Sequence, residues 1–482
     1  MTPAGPEQSG GGGSPKQSSG GAGPERPWAG RRLHLVGVGG AGMSGLAVVA
    51  AALGAEVTGS DQADSPYLEP VRAAGISPVI GHAAANVPED AEVVVSTAIS
   101  EDNPERVVAR ERGGRELHRG ELLAEVAALR RCIAVTGTHG KSTTAAMLVR
   151  VLREAGLDPS YLVGAELTET GANAGWGAGE WIVVEADESD RSLLHLRPEI
   201  AVVTNLELDH HSTYSSRLDL EETMRRFLSQ ARRSVVWSTP GLRALAGEGA
   251  VEFEVPDATL HPDGSRFSWE PPAAGRGAGA DTAAGREARG APLEVRLPVP
   301  GRHNALNAAA ALAAAALAGV EPEVAAAALA GFRPAGRRFE RVGETESGAV
   351  VYDDYAHHPT EVAATLAAAR TLGPRRVLAA FQPHLFSRTA ALWREFGAAL
   401  AAADVAVVLD VYRAREDPAD WPGIDGRLVA AATADAALGR PVAWLPGMED
   451  AERFLRDRLR PGDLLVTLGA GDVDRLAHRL AA

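Results

Sequence analysis

The sequence contains little cysteine, no long apolar run and no leader-like N-terminus. Its 482 residues include a single cysteine, Cys132, which excludes an intrachain disulfide and a zinc site built from cysteine side chains. No stretch of about 20 strongly apolar residues is present, as a membrane-spanning helix would require. The N-terminus has neither the basic nor the apolar region of a signal peptide. Together these absences predict a cytoplasmic protein without a transmembrane helix.

Acidic residues outnumber basic ones, and this balance limits the classes of partner. Lys and Arg together number 48 against 63 Asp and Glu, which gives a net charge of −15 at pH 7. Such a charge argues against a general nucleic-acid-binding surface. The apolar fraction of 45% is typical of a globular protein, and 482 residues are too many for one ordinary core. We therefore expect about two to four domains.

Apolar β-rich runs alternate with helical patterns along most of the chain, which predicts an α/β fold with parallel sheets. The pattern divides into three domains: a Rossmann-like domain (30–129), a central P-loop ATPase-like domain with a mostly parallel sheet (130–331) and a Rossmann-like C-terminal domain (332–482). Two segments are rich in Gly, Pro, Ala and polar residues instead. We expect a disordered tail at 1–29 and a flexible insertion at 271–292 within the central domain.

A glycine-rich turn follows the first predicted strand. Gly37, Gly39, Gly40 and Gly42 form a full G-x-G-x-x-G pattern, and Asp61 closes the next strand. Such glycines allow a diphosphate to approach the backbone at a helix N-terminus. Taken alone, the motif favours an NAD-dependent dehydrogenase. The alternative is a tight turn that only packs the helix against the strand.

A second turn, "GTHGKSTT", joins another strand to a helix and resembles a P-loop. Its first usual glycine is replaced by Val135. Lys141 is placed to pair with β- and γ-phosphates and Ser142 to ligate Mg²⁺, while the N–H groups from Thr138 to Ser142 are expected to hold phosphate oxygens. The turn therefore predicts binding of ATP and Mg²⁺.

Acidic and histidine side chains follow two further strands. "EADESD" supplies Glu185, Asp187, Glu188 and Asp190, and "LELDHH" supplies Glu207, Asp209, His210 and His211. Mg²⁺ prefers a few oxygen ligands together with water and substrate phosphate. Glu185, where the apolar run stops, is the best single candidate. The alternative is that these are ordinary solvated loop charges and a structural histidine pair.

The second half of the chain adds polar motifs near predicted helix starts. Asn304 and Asn307 share a helix face and are candidates to contact a nucleotide base, although Asn304 would also suit a helix N-cap. Arg337 and Arg338 suit charge that develops on a γ-phosphate. The remaining candidates are His303, Asp353, Asp354, His357, His358, His384 and Arg388.

In this order the motifs resemble the Mur ligase family, ATP-dependent enzymes that build the peptide of bacterial cell-wall precursors. The matching segments include "GVGGAGMSGLA", "GTHGKSTT", "EADESD", "TNLELDH", "GRHNALNAAAA", "GRRFE", "DDYAHHPTE", "FQPH", "DVYRAREDP" and "TLGAGD". They extend from about residue 33 to residue 472, which is nearly the whole chain except the tail and the insertion.

The resemblance implies one reaction and leaves a related one open. "GTHGK" followed by "DDYAHHPTE" implies ligation of L-alanine to the lactate carboxylate of UDP-N-acetylmuramate through an acyl phosphate, at the expense of ATP. The alternative within the family is a recycling ligase that adds the tripeptide L-Ala-D-Glu-diaminopimelate. A dehydrogenase remains an alternative of another class, but it leaves the P-loop and every later motif without a role.

The resemblance also assigns roles to individual residues of this sequence. The UDP-sugar site would comprise Gly37, Gly39, Gly40, Gly42, Met43, Asp61, Ser96 and Thr97. The ATP site would comprise Gly137, Thr138, His139, Gly140, Lys141, Ser142, Thr143, His303, Asn304, Asn307, Arg338 and Asp354. The magnesium ligands would be Ser142, Glu185 and His210, and the amino-acid site would be lined by Tyr355, His357 and Arg388. The catalytic group would be Lys141, His210, Arg338 and His357.

The sequence departs from the family pattern at two positions. Leu385 stands where the family commonly has an arginine that would pair with the amino-acid carboxylate, so selectivity for L-alanine over glycine or L-serine stays open. Ser212 stands where an aspartate is often found, which leaves the hydrogen bonding beside the metal open. We also find no counterpart of the carbamoylated lysine that several relatives use.

Overall fold

The computed structural model describes residues 26–210, 213–272, 291–334, 336–414 and 416–481. Ser212, most of the predicted tail and most of the predicted insertion lie outside the described residues. Within the last residues of that tail, Trp28 is buried and packs into the first hydrophobic core. Among the helices that are described, none combines the length and the apolar character that crossing a bilayer demands.

A parallel sheet organises the first part of the chain. Its strands are β1 (Arg32–Val36), β2 (Glu56–Asp61), β3 (Val79–Ile80), β4 (Glu92–Val95) and β5 (Glu116–His118). The helices between them are α1 (Ala41–Ala52), α2 (Leu68–Ala73), α3 (Pro104–Glu111) and α4 (Arg119–Ala127), with a 3₁₀ turn at Ala84–Asn86. The strand order β3-β2-β1-β4-β5 is that of a doubly wound dinucleotide-binding half.

A larger sheet forms the centre of the molecule. Its strands are β6 (Arg131–Thr136), β7 (Ser160–Leu167), β8 (Ala172–Gly175), β9 (Trp181–Glu185), β10 (Ile200–Val203), β11 (Arg233–Trp237) and β12 (Val251–Phe253). They lie in the order β12-β11-β10-β6-β9-β7-β8, and only β8 is antiparallel to its neighbour. Its helices are α5 (Lys141–Glu154), α6 (Arg217–Ser229) and α7 (Pro240–Ala246), with a 3₁₀ turn at Ser192–His195. Both faces of the sheet are covered, which explains the unbroken apolar sequence of its inner strands.

A small antiparallel sheet and an alanine-rich helix complete this central region. The strands are β13 (Thr259–His261), β14 (Gly264–Trp269) and β15 (Leu293–Leu297), and the helices are α8 (Arg302–Leu317) and α9 (Pro322–Leu329). Helix α8 lies between α5, the large sheet and β14, so its alanines are buried nearly all round. Small side chains allow this close approach, and the start of α8 is thereby fixed beside the start of α5.

The last part of the chain forms a third large sheet, which is called the third sheet below. Its strands are β16 (Glu340–Glu344), β17 (Val350–Asp354), β18 (Arg376–Phe381), β19 (Val405–Val408), β20 (Val442–Trp444) and β21 (Asp463–Leu468). They lie in the order β16-β17-β21-β18-β19-β20, parallel except for β16. Its helices are α10 (Pro359–Thr371), α11 (Phe386–Leu400), α12 (Gly426–Ala436), α13 (Met448–Arg458) and α14 (Asp474–Leu480), with a 3₁₀ turn at Pro418–Asp420. The predicted α/β class with mostly parallel sheets is confirmed.

The central sheet meets its two neighbours through different kinds of contact. Helix α1 packs on β7 and β8 so tightly that a side chain at Gly45 would approach Ala174 and Leu162 to 3.1 Å, and one hydrophobic cluster extends across this boundary. The two clusters of the third sheet contain only residues of that sheet and its helices. In the described residues, the third sheet is joined to the centre mainly by polar contacts, which are detailed below.

Candidate active site

The predicted nucleotide and metal residues lie at one edge of the central sheet. Strands β6, β9 and β10 are adjacent and parallel, so the segments that follow them emerge side by side. These segments are the turn 137–140, the acidic segment 185–190 and the segment 204–210. Ligands of open α/β sheets bind at this carboxyl edge.

The nucleotide turn depends on glycine at both ends. Gly137 and Gly140 have φ angles of 126° and 80°, and Gly140 is the N-cap of α5. A Cβ atom at Gly140 would lie 2.3 Å from Oδ1 of Asn307 on α8. Because that asparagine is buried, a larger residue at 140 would have to displace the start of α8. Glycine at 140 therefore allows the start of α5 to lie close to the start of α8.

The N–H groups of this turn are not all available to phosphate. His139 donates its N–H to Oδ1 of Asn205 at 2.9 Å, and its carbonyl accepts from Nδ2 of Asn205 at 2.9 Å. Thr138 exchanges two hydrogen bonds with the backbone of Glu207 through its hydroxyl. The first N–H groups of α5, on Lys141, Ser142 and Thr143, have no intrahelical acceptor. Because the N–H of His139 is already used, we expect the phosphate-binding N–H groups to lie nearer the helix than the sequence predicted.

Lys141 is held at the centre of the site. Its Nζ atom donates to the carbonyls of Gly137 at 2.8 Å and Thr138 at 3.2 Å, and to Oε1 of Glu188 at 3.1 Å. Burial disfavours the charged amine, but the carboxylates of Glu188, Asp187 and Glu185 outweigh this and raise the pKa of Lys141. The amine is therefore a positive charge held in a fixed position, where it can interact with a bound anion.

Glu188 rather than Glu185 joins the lysine to His210. Nε2 of His210 lies 3.4 Å from Oε1 of Glu188, and the buried Oε2 of Glu188 lies 3.1 Å from Nζ of Lys141. The carboxylate of Glu185 accepts the N–H of Gly164 on β7 at 2.7 Å. The sequence named Glu185 as the best metal ligand because the apolar run ends there. It offered no signal that ranked Glu188 above the other acids of "EADESD".

Arg119 was missed by the sequence analysis. It begins α4 in the first sheet, yet its guanidinium binds Asp190 at 2.6 Å and Asp187 at 3.0 Å in the central region. Burial alone would raise the pKa of Asp187, but Lys141 and Arg119 hold that pKa well below its usual range. A side chain at Gly42 would approach Nη1 of Arg119 to 3.1 Å, so the arginine also adjoins the glycine turn. Only the tertiary fold brings "HRGE" to this position.

The two adjacent arginines of "GRRFE" have different surroundings. Arg337, with a φ of 59°, binds Asp353 at 2.8 Å and the carbonyls of Gly469 and Gly471 at 2.7 and 2.9 Å. Its donors are used within the third sheet, so it orders the backbone around it. Both guanidinium groups lie over the ring of Tyr355, at 5.3 Å and 4.9 Å, but only Arg338 reaches the start of α5, with Nη2 3.4 Å from Oγ of Ser142. Arg338 is the cation that reaches the nucleotide turn.

Asp354, at the end of β17, is buried in the same corner. Its carboxylate accepts the N–H groups of Phe339 at 2.7 Å and Ala356 at 2.8 Å. Burial raises the pKa of Asp354 to about 7, although Arg338 acts in the opposite direction. The carboxyl group fixes the two turns that carry Arg338 and Tyr355.

His357 is a buried imidazole that faces a carbonyl. Its Nδ1 lies 3.0 Å from the carbonyl oxygen of Tyr355, and its ring meets those of Tyr355 and His384 edge to face. Burial lowers the pKa of His357 to about 3, against the opposing effect of Glu361. The imidazole is therefore neutral near pH 7, with Nδ1 donating and Nε2 left as an acceptor. Such a group orients an amine and accepts a hydrogen bond from it, but it is a weak equilibrium base.

Arg388 forms a bidentate ion pair with Asp209. Its Nε and Nη2 atoms each lie 3.0 Å from a carboxylate oxygen, and both side chains are 4% exposed. Burial disfavours the carboxylate, but Arg388 and His210 hold the pKa of Asp209 well below its usual range. Leu385, one turn earlier, has a φ of 71° and caps α11. Contact of Arg388 with an amino-acid substrate stays a prediction, and it would require sharing this guanidinium with Asp209.

The predicted base-binding residues cluster at the start of α8. Gly301 is the N-cap of that helix, so the alternative interpretation of Asn304 as a cap is wrong. Nδ2 of Asn304 donates to the carbonyl of Pro300 at 2.8 Å, and Asn307 packs on Gly140. His303 lies beside them, and burial lowers its pKa to about 4. Asn307 thus adjoins the nucleotide turn, and contact of the three side chains with a base stays a prediction.

The glycine turn of the first sheet is held by Asp61. Oδ2 of this residue accepts the N–H of Gly39 at 2.8 Å, so one carboxylate oxygen is already engaged. Met43 is buried in the core under the turn, and Ser96 and Thr97 follow the adjacent strand β4 with partial and full exposure. Gly37, Gly40 and Gly42 complete the turn before and at the start of α1. The predicted residues thus share one edge of the first sheet.

A buried glutamate supports the same edge from below. Glu105 accepts hydrogen bonds from Ser60 at 2.5 Å, from Asn86 at 2.6 Å and from the N–H of Ala83 at 3.2 Å, and it lies 3.4 Å from Nε2 of His34. Burial favours the protonated form, but these donors lower the pKa of Glu105 to about 2. The carboxylate ties the ends of β2 and β3 to α3.

Comparison with known proteins matches three successive parts of the chain to three family regions. The Mur ligase family catalytic domain matches residues 32–131, the Mur ligase middle domain matches residues 135–315, and the Mur ligase glutamate ligase domain matches residues 337–471. The curated UDP-N-acetylmuramate--L-alanine ligase of Rubrobacter xylanophilus is 43% identical over 465 residues, which cover 94% of this chain and 99% of that protein.

Solved structures extend the likeness to the whole fold. The UDP-N-acetylmuramate-alanine ligase of Thermotoga maritima superposes with a TM-score of 0.76 at 26% identity, covering 93% of this chain and 98% of that one. The murein peptide ligase of Psychrobacter arcticus gives a TM-score of 0.65, also at 26% identity, and covers 94% and 98%. With the family regions matched in order across three α/β domains, this chain belongs to the Mur ligase family.

Proposed function

We propose that this enzyme uses ATP to join L-alanine to the lactate carboxylate of UDP-N-acetylmuramate in peptidoglycan precursor synthesis. The observation that carries the proposal is that Arg338 comes from the third domain to within 3.4 Å of Ser142, the residue that follows Lys141 at the start of α5. A cation from each domain thus lies beside the N-terminus of α5. The activity in the names of the curated relatives supports the choice of substrates. We infer that the reaction takes place in the cytoplasm, where ATP is available.

In the first step the lactate carboxylate attacks the γ-phosphorus of ATP, and ADP leaves with the electron pair of the broken P–O bond. Two anions must be brought together, so most of the catalysis is charge compensation and positioning. Lys141 and Arg338 supply fixed positive charge on either side of the transferring group. The N–H groups at the start of α5 hold the remaining phosphate oxygens.

The donor set also fits magnesium. Ser142, Glu185 and His210 would hold the ion, with Glu188 beside His210 and Lys141 as a further buried carboxylate. Hard oxygen ligands and an anionic surround are what Mg²⁺ prefers, and the bound ion would neutralise charge on the phosphate oxygens. These side chains would determine where the positive charge of the ion lies.

In the second step the amine of L-alanine attacks the acyl carbon, and the tetrahedral intermediate expels phosphate as the C–O bond breaks. The amine must be neutral to attack, and the proton that it loses after it has added leaves with the expelled phosphate. The neutral imidazole of His357 has Nε2 available to accept a hydrogen bond from the amine and so to orient its lone pair. Tyr355 and Arg388 border this position.

A related activity is the addition of a tripeptide, which is the activity in the name of a structurally similar ligase from Neisseria. The two activities are separated by one assay. Purified protein is given ATP, Mg²⁺ and UDP-N-acetylmuramate, and phosphate release is measured with L-alanine or with L-Ala-D-Glu-diaminopimelate. Release with L-alanine alone supports the proposal, release with the tripeptide alone replaces it, and release with neither refutes ligation. Glycine and L-serine in the same assay measure how selective the site is with Leu385.

A further inference from the structure

A cluster of two histidines and a glutamate lies between the nucleotide turn and the third domain. It consists of His139 on the turn, Glu207 after β10 and His358 at the start of α10. One nitrogen or oxygen from each side chain lies within 4.8 Å of the other two. The proposed ligation mechanism uses none of these side chains for chemistry.

Two of the three separations between the donor atoms are close to those around a four-coordinate metal ion. Nε2 of His139 is 3.5 Å and Nδ1 of His358 is 3.7 Å from Oε2 of Glu207. For metal–ligand bonds of about 2.1 Å, a tetrahedron places its ligands about 3.4 Å apart. Small rotations of the three side chains would therefore place their donor atoms at three corners of such a tetrahedron.

The surroundings of the cluster also resemble those of a metal site. Nε2 of His139 is buried and faces Oε2 of Glu207 at 3.5 Å, which is longer than an ordinary hydrogen bond, while Nδ1 of the same ring lies 3.2 Å from Oε1 of Glu361. A carboxylate on the outer nitrogen of a ligating histidine fixes its tautomer and orientation. The hydroxyl of Thr360 donates to Oε2 of Glu207 at 2.6 Å and orients that ligand in turn.

The chemistry of the donors points to a transition metal and not to magnesium. Two imidazoles and one carboxylate suit Zn²⁺ or Co²⁺, whereas Mg²⁺ favours oxygen. His358 is 7% and His139 is 12% exposed, but Glu207 is 36% exposed, so solvent reaches one side of the cluster. That side leaves room for a fourth ligand such as water. Nδ1 of His358 would give up only a long hydrogen bond, 3.3 Å from the N–H of Thr360.

We propose that His139, Glu207 and His358 bind a Zn²⁺-like dication that ties the third domain to the nucleotide turn. Two ligands belong to the central domain and one to the third, so the ion clamps the interface at which the domains meet. This site is separate from the Ser142, Glu185 and His210 set that would hold magnesium.

The experiment uses the full chain, stripped with EDTA and kept free of ATP. Co²⁺ is titrated in, and the intense visible absorption of four-coordinate cobalt reports binding. We expect one tight equivalent with that spectrum. His358→Gln should weaken binding by at least about 10-fold, and Glu361→Gln by about 10–100-fold. Gln removes the charge of the outer carboxylate but keeps an oxygen that can accept the N–H groups of His357 and His358. His478→Gln, an exposed histidine on α14, is the matched control and should bind as the wild type does.

Circular dichroism and melting curves establish that each variant is folded before it is titrated. A crystal soaked with Zn²⁺ and measured at the zinc absorption edge locates the ion directly, and we expect an anomalous peak about 2.1 Å from the three donor atoms. A folded His358→Gln protein with an unchanged cobalt spectrum and affinity would overturn the proposal. So would a spectrum abolished by His210→Gln alone, or a zinc peak only at Glu185 and His210.

Discussion

The buried ion pair between Asp209 and Arg388 gives the sharpest test of how the third domain is held. Both side chains are 4% exposed and the pair is bidentate, with two contacts of 3.0 Å between the domains. Removing one partner of such a pair leaves an uncompensated buried charge, which costs about 3–5 kcal/mol. We call the arrangement in which the third domain contacts the central one the closed form. The cost falls on this form, because separation of the domains would return both groups to water.

We therefore expect Asp209→Asn to lower the population of the closed form. A penalty of about 3 kcal/mol is a factor of roughly 100 in that equilibrium. If closure precedes chemistry, kcat falls by up to that factor. The same lower kcat should be found whichever of the three substrates is varied. Arg388→Lys should act in the same direction, since lysine keeps the charge but not the bidentate geometry. The assay is steady-state release of ADP with ATP, L-alanine and UDP-N-acetylmuramate varied in turn.

Arg394→Lys on the exposed face of α11 is the matched control, with kinetics expected to equal those of the wild type. One result would refute the reasoning. If Asp209→Asn kept a near-normal kcat while Arg388→Lys raised only the KM for L-alanine, Arg388 would be a substrate ligand and the ion pair would not control closure.

Three further predictions address single residues. Lys141→Met removes a buried cation from the phosphate site, and phosphate-release assays should show kcat lower by at least about 10²–10³-fold. Gly140→Ala forces an L-residue to a φ of 80° and against Asn307, which should lower stability by about 1–2 kcal/mol or more in thermal denaturation. Glu105 has a pKa of about 2 in the folded protein against an ordinary 4.5, so its contribution of about 3 kcal/mol is complete above pH 4.5 and is lost as the pH falls towards 2. Urea denaturation of Glu105→Gln should therefore show a deficit of that order at pH 7 that shrinks at about pH 3, and a deficit independent of pH would contradict the assignment.

Local patterns predicted the fold class and the nucleotide turn because both are written in short stretches of chain. The strand, the glycine turn and the lysine at 141 are consecutive, so their geometry follows from a few backbone angles. Asn304 shows the limit of the same approach. A residue suited to a helix cap was two positions inside the helix, because Gly301, with a φ of 101°, begins it instead.

The remaining site residues depend on which elements the fold brings together. Arg119 and Asp190 are 71 positions apart, and Arg388 and Asp209 are 179 apart. No spacing in the sequence relates such pairs. Within "EADESD" the four acids are equivalent as a pattern, and the selection of Glu188 as the partner of Lys141 follows from how the backbone turns after β9.

The two boundaries of the central domain differ in what separation would expose to water. At the first boundary, α1 lies on β7 and β8 within one continuous hydrophobic cluster. Opening it would hydrate apolar surface and increase the heat capacity. At the second boundary, opening would hydrate mainly Asp209, Arg388, Glu207 and their partners. Swinging of the third domain should therefore leave calorimetric baselines almost unchanged but respond to ionic strength, since salt stabilises the separated charges.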